Sequence, residues 1–131
     1  MEITFIYNGN QIKEKEAYGY AQSLGQHTIN EWDLNKKNIT NRQLADIAKK
    51  LDVQVKDLLD KNNEKYQDEL AGKDYDDQDL LTMMSEDPRL IKTPILVHDK
   101  YAKLIDSPFE LNKLDMTFDS FSEEMSNKDE K

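Results

Sequence analysis

The chain has 131 residues, 37% of them hydrophobic and 34% charged, with 27 acidic side chains against 18 basic ones and a formal net charge of -9. That length supports one domain with a real core and is short for two. The acidic balance disfavours nucleic-acid backbones and anionic lipid as partners. There is no cysteine, which excludes disulfides, zinc–thiolate sites and any thiolate nucleophile.

The sequence opens directly on a strand pattern, without a basic stretch followed by an apolar leader. No apolar run approaches the roughly 18 residues of a membrane span. A cytoplasmic protein with no membrane segment is the expectation. Residues 3–7 are β-branched and aromatic and read as a buried strand, broken by Asn8, Gly9 and Asn10. Ala17, Tyr20, Ala21 and Leu24 then fall at i, i+3, i+4 and i+7, one face of a helix beginning near Lys13 and ended by Gly25. Residues 28–34 read as a second strand, with Trp32 and Leu34 on one side and Ile29 on the other. Thr40 with Gln43 three positions later forms a capping box, and Leu44, Ile47, Ala48 and Leu51 supply the apolar face behind it. A break near Asp52 and a short helix at Val55, Leu58 and Leu59 follow.

Residues 61–79 are polar, with Tyr66 and Leu70 as their anchors. Asp76 or Asp77 caps the next helix, in which Leu80, Leu81 and Met84 point inward, and Asp87–Pro88 ends it. Residues 94–98 and 101–105 read as two strands joined by a tight turn at Asp99 and Lys100. Pro108 opens a last helix with Phe109, Leu111 and Leu114 apolar. Beyond Thr117 the sequence reads as an acidic tail of charge -3, from Asp119, Glu123, Glu124, Asp129 and Glu130 against Lys128 and Lys131. The expected order is strand, helix, strand, two or three helices, then a hairpin and a helix. A parallel βαβ unit followed by an antiparallel hairpin gives a four-stranded mixed sheet with helices on its faces.

That order resembles the thioredoxin (glutaredoxin-like) α/β fold, and two segments narrow the resemblance to the arsenate reductase and Spx-like family, which carries an inserted helical segment. Asp87-Pro88-Arg89-Leu90-Ile91-Lys92-Thr93-Pro94-Ile95-Leu96-Val97 is similar to the family's Asn-Pro-x-Leu-Ile-x-Arg-Pro-Ile-Val-Val. Leu58-Leu59-Asp60-Lys61-Asn62-Asn63-Glu64-Lys65-Tyr66 is similar to its Leu-Leu-Arg-Lys-x-x-x-x-Tyr. The resemblance implies a domain over residues 1–116 with its insertion at about 40–88, a tail over 117–131, and a cis peptide bond before Pro94.

The departures fall on the positions the family uses for chemistry. Its catalytic cysteine corresponds to Ile12, or to Gln11 if the loop is one residue shorter, and a second cysteine position lies near Lys15. Its three oxyanion-binding arginines correspond to Asp60, Thr93 and Ser107. A guanidinium clamps an oxyanion through paired charge-assisted bonds. A carboxylate at such a position opposes it. The resemblance therefore implies a non-catalytic relative kept for protein binding or regulation, with no cofactor. RNA polymerase is a permitted partner through the Spx-like branch alone. The competing expectation is a cysteine-independent enzyme or small-ligand binder using the cleft near Thr93 and Pro94. The cleft floor discriminates: a protein-binding domain fills it with Ile12, while a ligand site stays open with polar groups of perturbed pKa.

Other features carry less. His27 and His98 have no ligand spacing. Asp74, Asp76, Asp77 and Asp79 are as acidic as a calcium loop, but the sixth and twelfth places from Asp74 hold Asp79 and Ser85 instead of Gly and Glu. Asn8, Gly9 and Asn10 precede a helix, whose N-terminus can hold an anion or simply satisfy its own turn.

Overall fold

A computed structural model describes residues 2–23 and 27–105. The elements are β1 (Glu2–Tyr7), α1 (Ile12–Ser23), β2 (Thr28–Asp33), α2 (Asn41–Leu51), α3 (Asp77–Glu86), β3 (Ile95–Val97) and β4 (Ala102–Leu104). Short 3-10 turns at Val55–Leu58 and Pro88–Leu90 and a π turn at Tyr66–Leu70 complete the insertion. The sheet order is β2-β1-β3-β4. β1 pairs with β2 in parallel and with β3 antiparallel, and β3 pairs antiparallel with β4. This is the four-stranded mixed sheet of the thioredoxin-like fold, with a helical segment between its halves.

Strand alternation divides the interior in two. On one face Ile3, Phe5 and Tyr7 of β1 pack with Leu96, Ile105 and the α1 residues Ala17 and Ala21. On the other, Ile6 and Ile95 join Leu44, Ile47, Leu58, Leu80, Leu81, Met84 and Leu90 of the insertion. The insertion thus supplies most of one core layer.

Local chemistry fixes the helix ends. Thr40 accepts the Gln43 N–H at 3.1 Å, and the Gln43 side chain accepts the Thr40 N–H at 3.0 Å. Asp52 closes α2 in the left-handed region at φ 59°. Asp76 caps α3 by accepting the Asp79 N–H at 2.8 Å, which gives part of the acidic cluster a structural role.

α1 departs from the expected face. It starts at Ile12, and Tyr20 is 48% exposed while Ala17 and Ala21 are buried. The stripe that meets the sheet runs through Glu14, Ala17, Tyr18 and Ala21, because the Tyr18 ring stacks on Tyr7 at 5.2 Å and lies 5.7 Å from Phe5. Residues 61–79 contain a π turn where only an anchored polar segment was expected. β3 and β4 are shorter than the sequence pattern suggested: the His98 N–H already bonds the Tyr101 carbonyl at 2.7 Å across the turn. Leu24, Gly25, Ser107, the helix expected from Pro108 and the tail beyond Thr117 lie outside the described residues.

Candidate functional site: the cleft beside Thr93 and Pro94

The turn between β1 and α1 satisfies its own amides. The Asn8 N–H donates to Glu14 Oε1 at 3.0 Å, the Gly9 N–H to Asp33 Oδ1 at 3.0 Å, the Asn10 N–H to Asn8 Oδ1 at 3.0 Å, and the Gln11 N–H to the Asn8 carbonyl at 3.0 Å. An anion seated on the turn itself would have to displace these bonds. The turn is also tied to β2, since Asn35 Nδ2 donates to Asn8 Oδ1 at 2.6 Å and Asn10 Nδ2 donates to Asn35 Oδ1 at 3.0 Å. Asp33 sits beneath it, 8% exposed. Burial pushes its carboxyl up, but bonds from the Asn35 and Gly9 N–H groups and the Asn35 side chain outweigh that, so the net shift is downward.

The other wall comes from the insertion. An isolated antiparallel bridge joins Leu59 to Ile91. Beside it the Asp60 N–H bonds the Leu90 carbonyl and the Lys92 N–H bonds the Leu58 carbonyl, each at 2.7 Å. That pairing sets Asp60 opposite Leu90, and Asp60 lines the same cavity as Lys92 and Thr93. The Asp60 Oδ1 accepts the Asn62 N–H at 3.0 Å, and the Asn63 Oδ1 accepts the Lys65 N–H at 2.8 Å. The Thr93–Pro94 peptide bond is cis.

Between the walls lies a cleft of 580 Å³. Asn8, Asn10, Gln11, Asn62 and Asn63 give it a carboxamide lining, and Glu14, Asp60, Lys92 and Thr93 share it. Glu14 is half-buried, and its carboxyl is raised above the ordinary value. Loss of hydration is the main cause, the bonds from the Asn8 N–H and the Thr93 side chain oppose it, and Asp60 and Asp33 add repulsion. Arg89 also faces the cleft, but Asp87 holds it, with Nε on Oδ1 and an Nη on Oδ2, both at 2.9 Å.

The positions that the sequence resemblance pointed to divide. Gln11, Asp60 and Thr93 line this one cleft. Lys15 lies exposed on α1, and Ile12 is 76% exposed, so Ile12 does not fill the floor. Glu14, Asn62 and Asn63 were not singled out from sequence, and Asn8 only as part of the turn before α1. Glu14 carried a signal, because it stands three residues before Ala17 on the buried stripe. Among the described residues no group of three or more His, Asp or Glu side chains could hold a metal ion, and no helix is long and apolar enough to cross a membrane.

Comparison with known proteins places this architecture. The profile of the ArsC family matches residues 25–114. Solved structures with the same architecture include a putative arsenate reductase from Yersinia pestis, 19% identical at a TM-score of 0.72 over 85% of this chain and 98% of that one. An arsenate reductase from Vibrio cholerae is 20% identical at a TM-score of 0.73, over 86% of this chain and 97% of that one. A putative ArsC family related protein from Bacteroides fragilis is 16% identical at 0.69, over 87% and 99% of the two chains. No curated protein matches in sequence. At these identities the structures establish a shared thioredoxin-like fold with its helical insertion. The profile goes further: the chain belongs to the ArsC family, as a divergent member without a single cysteine.

Proposed function

We propose that this chain is a binding protein on the ArsC scaffold that works without thiol redox chemistry and uses the cleft beside Thr93 and Pro94 as its seat. One observation carries the reading: the cleft is open and polar, while Ile12, which would have closed it, stands out in solvent at 76% exposure. A concave site of this size with convergent polar groups is where a ligand is held. Nothing in the lining supplies a thiolate. A group presented by a partner protein fits the same seat, and Ile12, next in sequence to the lining residue Gln11, gives such a partner an apolar contact. By resemblance to Spx-like relatives, RNA polymerase belongs among the partners to assay.

The test is a thermal-shift screen of polar metabolites and peptides against wild type and Gln11→Trp. Gln11 is exposed and its side chain bonds no described residue, so tryptophan there occludes the cleft at little cost to the fold. The expected result is stabilisation of wild type by at least one ligand and its loss in Gln11→Trp. Ligands that stabilise both proteins equally would put the seat elsewhere.

A further inference from the structure

We propose that the cleft is built for the cationic head of its ligand, a guanidinium received between Glu14 and Asp60. This deepens the reading of the cleft as a binding seat and rests on it.

The first argument concerns donors. An oxyanion site on this turn would present free N–H groups and a fixed cation. Here all four amides of residues 8–11 are engaged by the chain itself, one of them by the Glu14 carboxylate. The one arginine of the lining is held by Asp87 at both ends of its fork. The second concerns acceptors. Glu14 is fixed from α1 through the Asn8 amide, and Asp60 from the insertion through the Asn62 amide, so two carboxylates converge from opposite walls on one cavity of 580 Å³. Asp60 Oδ1 is used by that turn, while no described residue bonds Oδ2. The carboxylates repel one another across the space, and a cation between them relieves the repulsion. A planar guanidinium offers several donors in a fixed fork that suits carboxylates.

Lys61 and Lys92 also line the cleft. Neither forms an ion pair with a described residue, so their long side chains are not fixed against the carboxylates as Arg89 is against Asp87. They can turn outward when a cation enters, or meet a carboxylate on the outer end of the ligand. The cavity therefore also admits a ligand with a cationic head and an anionic tail.

The same head could come from a free small molecule or from an arginine of a partner protein. The test is an NMR titration of the full chain, following backbone amides, with agmatine, L-arginine, citrulline, arsenate and the blocked peptide acetyl-Gly-Arg-Gly-amide. Citrulline matches arginine in shape and keeps its α-ammonium and α-carboxylate, but carries a neutral urea in place of the guanidinium. The expected result is that at least one guanidinium probe shifts the amides of residues 8–14 and 60–63, at least tenfold more tightly than citrulline, while arsenate does not. The double variant Glu14→Gln, Asp60→Asn keeps both amide-accepting oxygens and should weaken that binding at least tenfold. Binding of the peptide more than tenfold tighter than agmatine points to a partner's side chain, and the reverse to a free cation. Either order supports the proposal. Equal binding of citrulline and arginine, binding of arsenate alone, an unaffected double variant, or silence from every guanidinium probe would overturn it. None of these results touches the Gln11→Trp screen, which decides separately whether the cleft binds at all.

Discussion

Replacing Gly9 with alanine tests how the wall of the cleft is held. A Cβ at position 9 would stand 2.1 Å from Asp33 Oδ2, 2.7 Å from its Cγ and 2.9 Å from Oδ1. The backbone of Gly9 is not in the left-handed region, so contact alone sets the cost. Asp33 cannot turn aside freely, because its Oδ1 accepts from Gly9 N at 3.0 Å, Asn35 N at 3.0 Å and Asn35 Nδ2 at 3.1 Å. Bonds to a charged group are worth about 1.5–3 kcal/mol each when the partner is left unsatisfied, and the Asn35 donors can partly re-pair with water. Losing the Gly9 bond and weakening the other two should cost about 2–4 kcal/mol, a fall of roughly 10 °C in thermal midpoint for a domain of this size. The assay is circular-dichroism melting at pH 7 of Gly9→Ala, Asp33→Ala and the double variant. Once Asp33 is truncated the alanine has room, so its added cost should fall below about 0.5 kcal/mol, the usual limit of additivity for independent sites. A harmless Gly9→Ala, or an equal cost in both backgrounds, would refute the reasoning.

Three further substitutions probe other parts of the account. Thr40→Ala removes the capping box of α2 and should cost about 1 kcal/mol by chemical denaturation. Glu14→Gln should raise the thermal midpoint at pH 7: the folded-state carboxyl is raised, so wild type loses stability as pH climbs through that higher value, and the variant's advantage should vanish below the ordinary value of 4.5. Asp87→Asn should lose stability at pH 7, because Arg89 first and Lys65 next hold the carboxyl well below its usual range; that contribution is present above the ordinary value of 3.8 and drains away as acid titrates the folded state, so melts in strong acid should converge.

The order of elements along the chain was legible because each carries a local signal: a β-branched and aromatic run in β1, the Thr40 to Gln43 box before α2, the Leu80, Leu81 and Met84 spacing in α3. The two family segments were legible one by one, but the bridge that joins them, Leu59 to Ile91, was not. The face of α1 was not legible. Tyr20 and Tyr18 are equivalent by composition, and only the rings of Phe5 and Tyr7, a strand away, select Tyr18. The expected stripe through Ala17, Tyr20 and Ala21 left Glu14 at its edge, and the stripe through Ala17, Tyr18 and Ala21 brings it near the centre. The carboxamide lining was hidden for a different reason: Asn8, Asn62 and Asn63 belong to local turns, and their convergence depends on the pairing of Asp60 with Leu90. The π turn at Tyr66–Leu70 has no sequence signal that we can name.

The most direct test of the account is arsenate-dependent oxidation of glutathione by the unmodified full chain, followed against buffer alone. A chain with no cysteine, whose turn amides are already engaged and whose lining arginine is held by Asp87, should give no turnover above the uncatalysed rate. Turnover that scales with protein concentration and is abolished in Gln11→Trp would contradict it.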